Sequence, residues 1–140
     1  MGQSPTINRN DMKKIFTLSS ILFLIVFSAF RTQNQGLDEV IAALNGGNAT
    51  ELAKYIDNNI EISLPEKTDT YSKAQAVMIF RDFFANNGVR SFAVKHQGDN
   101  GGRQFCIGTL STRNGSYRTT VFMTTKNGKQ LVKEVRFQEI

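Results

Sequence analysis

The chain has 140 residues, of which 40% are hydrophobic and 21% are charged, with only two prolines. This length suits one domain rather than two, and the composition excludes a disordered, collagenous or multi-span membrane protein. Beyond residue 31 the chain carries 13 basic and 11 acidic residues, a net charge of +2, and the basic residues are scattered. We therefore expect no nucleic acid as a partner.

The single cysteine, Cys106, limits the chemistry that the chain can hold. One cysteine cannot form an intramolecular disulfide, and together with a single histidine it does not supply the ligand set of a zinc site. We expect neither a metal nor a cofactor. Cys106 also lies between apolar neighbours in a predicted strand, which favours a place in the core over a nucleophilic role.

A leader precedes the predicted domain. Lys13 and Lys14 stand before a stretch without charge, residues 15–30. A basic segment followed by a short apolar segment is typical of a secretory signal, and these 16 residues fall short of the roughly 20 that a spanning helix needs. Cleavage is expected before Ala29, and an uncleaved leader would instead anchor the chain to a membrane.

These features divide the chain into three parts. We predict an upstream extension over 1–11, a signal peptide over 12–31 and a single α+β domain over 32–140. A signal peptide predicts export, so the expected location is the periplasm or the medium.

Two short helices are predicted at the start of the domain. Apolar residues at helical spacing predict a first helix from Leu37 to Leu44. Asn48 is the expected N-cap of a second helix, with Glu51 as its capping-box partner, and this helix is predicted to continue through Ile56.

The third predicted helix is the longest. It runs from Ser72 to Asn86, has Gln75 as capping-box partner and is terminated by Asn86-Asn87-Gly88. The adjacent Phe83 and Phe84 lie on it, and we expect at least one of them to be buried against a sheet. Residues 66–71 are polar and are predicted as a loop or edge extension.

Period-2 alternation of apolar residues indicates the strands. Asn-Gly turns separate the last three, which indicates a meander of four antiparallel strands after the third helix. The predicted strands are 60–64, 89–97, 103–112, the segment between the turns Asn114-Gly115 and Asn127-Gly128, and 129–140. The expected fold is α+β, with helices packed on a curved antiparallel sheet that forms a cone open at one end.

Several segments of this sequence resemble a known family. The arrangement is similar to the nuclear-transport-factor-2-like, or cystatin-like, fold, and within it to a family of small exported bacterial proteins of unknown function. The resemblance implies the fold and no particular reaction. It rests on Gly47-Asn48, Ile60–Leu64, Tyr71–Ala76, Phe83-Phe84, His96–Gly98, Ile107–Leu110 and Gly115–Arg118.

Four residues are predicted to bind a ligand at the mouth of the cone. Alternation places His96 on the strand face that carries Phe92 and Val94, and Lys133 on the apolar face of the last strand. With Arg118, these cations and the aromatic wall would suit a small anionic or amphipathic molecule. A histidine satisfied within the sheet and a lysine that protects a sheet edge are the alternatives.

No acid and base stand at a spacing diagnostic of catalysis, so no catalytic residue is assigned. We predict a non-enzymatic protein that binds a small molecule or a protein through the cone or the sheet face. A hydrolase or isomerase that uses the cone, and a module that forms homodimers, are the alternatives. The acids and tyrosines considered for a reaction are Glu61, Asp82, Glu134, Tyr55, Tyr71 and Tyr117.

Overall fold

The computed structural model describes residues 2–4, 8–17 and 35–140. The chain divides into two compact units, Met1–Gln33 and Asn34–Ile140. In the first unit residues 9–17 are helical, and the remainder of the predicted signal peptide lies outside the described residues. None of the helices in the described part of the chain is both long enough and apolar enough to cross a membrane.

The second unit is an α+β structure, as the sequence predicts. Its described residues form three helices and six strands of one sheet. These elements are α1 (Gln35–Asn45), α2 (Ala49–Ala53), β1 (Ile56–Ser63), β2 (Thr68–Ser72), α3 (Lys73–Asn87), β3 (Val89–Asn100), β4 (Arg103–Thr112), β5 (Gly115–Lys126) and β6 (Lys129–Glu139).

The strands lie in the order β2-β1-β6-β5-β4-β3. Strands β3 to β6 form the predicted antiparallel meander, but β1 pairs with β6 in parallel, so the sheet is mixed and not wholly antiparallel. The parallel pair arises because α3 carries the chain to the far edge of the sheet, and the meander then returns β6 alongside β1. Strand β2, which was predicted as a loop or edge extension, pairs with β1 at the edge.

The helix ends follow the capping chemistry in the sequence. The side chain of Asn48 accepts a hydrogen bond from the backbone N–H of Glu51, and Ser72 and Gln75 form a complete capping box at the start of α3. Helix α2 ends earlier than predicted, at Ala53. The backbone N–H of Val132 donates to the carbonyl of Tyr55 at 2.6 Å, so the chain after Ala53 pairs with β6 instead of continuing the helix.

Helix α3 lies against the sheet through an aromatic cluster. Phe80 and Phe84 are buried, and their rings stack with centroids 5.9 Å apart. Phe137 of β6 meets Phe80 edge-on at 6.3 Å. The expectation that Phe83 or Phe84 is buried is therefore confirmed for Phe84. Met78, on the opposite side of the helix, is 63% exposed.

A bulge in β3 changes the face on which His96 lies. The pairing with β4 shifts register between Val94 and His96. Phe92 and Val94 face the helices, whereas His96 pairs with Ile107 on the opposite, outer face. The prediction that His96 shares a face with Phe92 and Val94 is wrong, because the extra residue reverses the alternation.

A second bulge has the same effect in β6. The pairing with β5 shifts register between Phe122 and Met123, so Val132 and Val135 both enter the core. Lys133 lies between them at the bulge, and its side chain is 45% exposed. It does not share the apolar face of β6, contrary to the sequence-based prediction.

Lys133 instead pairs with Asp57 at the start of β1. The Asp57 side chain is only 9% exposed and also accepts a hydrogen bond from the backbone N–H of Asn58 at 2.8 Å, with Lys126 Nζ at 3.8 Å. The hydrogen bonds from Lys133 and from Asn58, followed by the charges of the two lysines, lower the pKa of the Asp57 carboxyl. This carboxylate therefore stabilises the parallel junction of β1 and β6.

The Asp57 pair predicts a pH dependence of stability. Folding lowers the pKa of Asp57. The ionised carboxylate therefore stabilises the fold fully above the unfolded-state pKa, and this stabilisation is lost as the pH falls through the folded-state pKa. Asp57→Asn should lower the free energy of unfolding at neutral pH, and the difference from wild type should shrink in acid. Chemical denaturation at a series of pH values measures this difference. In a Lys133→Met background, Asp57→Asn should lower the free energy of unfolding by a smaller amount. An equal difference in acid and at neutral pH would contradict this account.

Candidate functional site

A cleft of about 390 Å³ opens where α3, the loop between β1 and β2, and the facing ends of β5 and β6 come together. Pockets that bind small molecules commonly have volumes of about 300–1,000 Å³, so the cleft has a suitable size. The residues that give it its chemistry are Glu66, Asp82, Phe83, Asn87, Tyr117 and Glu139.

The wall of the cleft is aromatic. Phe83 lies on α3 beside the core-facing residues Phe80 and Phe84, and its ring is half-buried at the cleft. The ring meets Tyr117 edge-on, with centroids 5.2 Å apart, and lies 4.4 Å from the ring of Phe137. The aromatic core cluster therefore continues to the surface here and offers a ring to a ligand.

Tyr117 is held in place by the end of α3. Its hydroxyl donates to Asn87 Oδ1 at 2.9 Å, and Asn87 Nδ2 in turn donates to the carbonyl oxygen of Phe83 at 2.8 Å. Burial, and then the nearby charges of Glu139 and Glu66, raise the pKa of Tyr117. The phenol therefore stays protonated at neutral pH, and its oxygen retains capacity to accept a hydrogen bond.

Three carboxylates surround this aromatic wall. Glu66 comes from the loop after β1, Asp82 from α3 and Glu139 from the end of β6. Among the described residues none of the three forms a salt bridge, and no lysine, arginine or histidine lines the cleft. A cleft lined by one sign of charge concentrates ligands of the opposite sign.

The carboxylates do not form a metal centre. Over residues 35–140 and the shorter described stretches, no group of three or more histidine, cysteine, aspartate or glutamate side chains is arranged to hold a metal ion. The arrangement instead suits an organic cation, which can lie against an aromatic ring while carboxylates surround it at longer distances.

The structure does not bring the four sequence-predicted ligand residues into one pocket. His96 and Arg118 are exposed on the outer face of the sheet, where they pair with Ile107 and Thr109 of β4. Phe92 is buried in the core, and Lys133 pairs with Asp57. Their role in binding a ligand remains a prediction, but it would require separate sites rather than a shared one.

Two residues considered for a reaction do meet in the cleft, namely Asp82 and Tyr117. Glu66 and Glu139 complete the site and were missed, because residues far apart in the sequence meet there with no spacing that relates them. Cys106 is buried as predicted, and burial raises the pKa of its thiol to about 11, which excludes a thiolate nucleophile at neutral pH.

Comparison with known proteins supports the fold and the family. A protein from Bacteroides uniformis of the DUF4783 family is 32% identical, with a TM-score of 0.72 over 74% of this chain and 95% of that one. Another from Bacteroides ovatus is 31% identical, with a TM-score of 0.71 over 73% and 93%. A nuclear-transport-factor-2-like protein of unknown function from Cytophaga hutchinsonii, 13% identical, has a TM-score of 0.58 over 78% and 90%, and so shares the fold.

No curated protein matches the chain. A family model covers nearly all of the second unit, because residues 37–138 match the domain of unknown function DUF4783. The resemblance to a family of unknown function with the nuclear-transport-factor-2-like fold is thereby confirmed, and the chain belongs to the DUF4783 family.

Proposed function

We propose that this protein is an exported binding protein whose cleft takes a small ligand with a cationic nitrogen, such as an amine or a guanidinium group. The observation that carries the proposal is the convergence of Glu66, Asp82 and Glu139 on an aromatic wall with no cationic side chain in the lining. Export rests on the basic residues and the uncharged stretch at the N-terminus.

The chemistry of the cleft favours a cation over the anion that the sequence suggested. An anionic ligand was expected because His96, Lys133 and Arg118 were predicted to share one mouth. The bulges in β3 and β6 separate these residues, while three carboxylates from three elements face one cleft. Phe83 presents a ring to a bound cation, an interaction that contributes roughly 0.5–2 kcal/mol.

A thermal-shift screen of primary amines and guanidinium compounds, beside carboxylic acids of similar size, tests the proposal. Amines should raise the melting temperature and acids should not, because a ligand that binds only the native state stabilises it by about 2.7 kcal/mol at a hundredfold excess over Kd. The shift should diminish with added salt, since the carboxylates are exposed.

Two matched sets of substitutions test whether the ligand binds in the cleft. The combined change Glu66→Gln, Asp82→Asn and Glu139→Gln should abolish the shift. The control, Asp38→Asn, Glu39→Gln and Glu51→Gln, changes net charge equally on α1 and α2 and should leave it intact. Stabilisation that survives in the cleft variant, or that acids produce as well as amines, would contradict the proposal.

A reaction in the same cleft is the second candidate, and one observation favours it. Asp82 and the Tyr117 hydroxyl line one cleft, so a substrate there would have a carboxylate and a protonated phenol within its reach. Because the Tyr117 proton is engaged by Asn87, a reaction would first have to release it. Turnover of an amine hit that Tyr117→Phe removes, with binding retained, would favour this alternative.

A further inference from the structure

The end of α3 sets the direction of the hydrogen bond at Tyr117. The side-chain amide of Asn87 lies 2.8 Å from the carbonyl oxygen of Phe83, which can only accept, so the atom that faces it is the donor Nδ2. The amide oxygen of Asn87 therefore faces Tyr117, whose hydroxyl donates to it at 2.9 Å. Because its one proton is engaged in this way, the phenol oxygen can offer only lone pairs to a molecule in the cleft.

The charged groups of the cleft are acceptors as well. Among the described residues, the carboxylates of Glu66, Asp82 and Glu139 have no hydrogen-bond or ion-pair partner within the protein. Glu139 and Glu66 are also near enough to Tyr117 for their charges to raise the pKa of its phenol. The amide of Asn86 lines the same cleft and can donate or accept. A cation that meets the phenol and the carboxylates must therefore bring hydrogen-bond donors of its own.

An aromatic wall could also attract a quaternary ammonium group, which has no N–H. Such groups are typically recognised by several aromatic faces that surround the cation. In this cleft the rings of Phe83 and Tyr117 meet edge-on, with an angle of 69° between their planes, so the edge of one ring covers a face of the other. The lining is therefore better suited to recognise N–H groups than positive charge alone.

We infer that the cleft selects its ligand by the N–H donors on the cationic nitrogen, preferring a primary amine to its N-methylated forms, and that Tyr117 makes this selection as a hydrogen-bond acceptor. Asn87 is a positioning residue, because it acts on the ligand through the direction of the Tyr117 hydroxyl. The inference rests on the proposed function, since it needs a cation in the cleft. It goes further, because charge alone would not distinguish an ammonium group from its methylated forms.

Isothermal titration calorimetry of the purified protein with 2-phenylethylamine and its N-methyl, N,N-dimethyl and N,N,N-trimethyl derivatives tests the inference. The four compounds share one positive charge at neutral pH and one carbon skeleton, but their N–H groups decrease from three to none. The Kd of wild type should rise along the series, by about tenfold or more from the primary amine to the trimethyl compound, because acceptors in the cleft lose their donors.

Substitutions separate hydrogen bonding from the added bulk of the methyl groups. Tyr117→Phe keeps the ring and removes the acceptor, so it should raise the Kd of the primary amine by about fivefold or more and leave that of the trimethyl compound unchanged. Asn87→Leu should reduce the same preference, because the released hydroxyl can then donate to a neighbouring carboxylate. A purely structural defect would weaken the binding of both compounds alike. Tyr55→Phe, at a tyrosine outside the cleft, should match wild type, and melting curves confirm that each variant is folded.

The outcomes distinguish this inference from the proposed function on which it rests. Equal Kd values for the four compounds, or a Tyr117→Phe variant that keeps the full preference of wild type, would overturn the inference and leave a cation site in place. Failure of the primary amine to bind wild type would also overturn it. If all four compounds bound equally well to wild type and to the triple variant of Glu66, Asp82 and Glu139, the proposed function would fail, and the inference with it.

Discussion

Phe84→Ala is expected to lower the free energy of unfolding by about 3–5 kcal/mol, the range for removing a buried aromatic ring. Phe84 is only 5% exposed and contacts three aromatic rings, those of Phe80, Phe83 and Phe137. Deleting it opens a cavity where α3 meets the sheet, and the close-packed surroundings relax into such a cavity only in part. Urea denaturation measures the change.

Met78→Ala is the matched control for Phe84→Ala, because it also shortens an apolar side chain of α3 but at a position 63% exposed. Its effect should lie within about 0.5 kcal/mol of wild type. If Phe84→Ala lowered the free energy of unfolding as little as Met78→Ala, the result would contradict the packing of Phe84 between α3 and the sheet.

Gly108→Ala is expected to destabilise the fold by about 1–3 kcal/mol through overpacking. A β-carbon at Gly108 would lie 2.5 Å from the carbonyl oxygen of Ala93 on β3 and 2.7 Å from two ring carbons of Phe92. The backbone oxygen cannot move without disturbing the pairing of β3 with β4. The absence of a side chain at Gly108 therefore lets the Phe92 ring approach β4 this closely.

Gly46→Ala serves as the control for this effect. A β-carbon there would meet only the carbonyl oxygen of Ala42, at the ordinary distance of 3.6 Å. We expect Gly46→Ala to change the free energy of unfolding by less than about 0.5 kcal/mol. Equal melting temperatures for the Gly108→Ala and Gly46→Ala variants would contradict the close contact between β3 and β4.

The elements that could be predicted are those whose signals are local. The capping box of Ser72 and Gln75 and the Asn-Gly turns act within four residues, so they fix helix starts and hairpins without help from the rest of the chain. Strand β2 lacks apolar alternation because it lies at an exposed edge, and its pairing with β1 is a tertiary effect that no local pattern reveals.

The candidate site was the least predictable part, and two bulges explain why. Alternation assigns His96 and Lys133 to faces on the assumption of unbroken pairing, and one extra residue in each strand reverses that assignment. The cleft residues Glu66 and Glu139 are exposed acids near strand ends, a pattern shared with many solvated side chains. Only the packing of α3 across the sheet brings them beside Asp82 and Tyr117.

A crystal structure of the protein with the amine that stabilises it most would test the proposed function most directly. The account predicts the ligand nitrogen among Glu66, Asp82 and Glu139, with its carbon skeleton against the ring of Phe83. A ligand bound instead on the outer face of the sheet, or in the groove beside Gly46 and Arg81 on another side of α3, would contradict it.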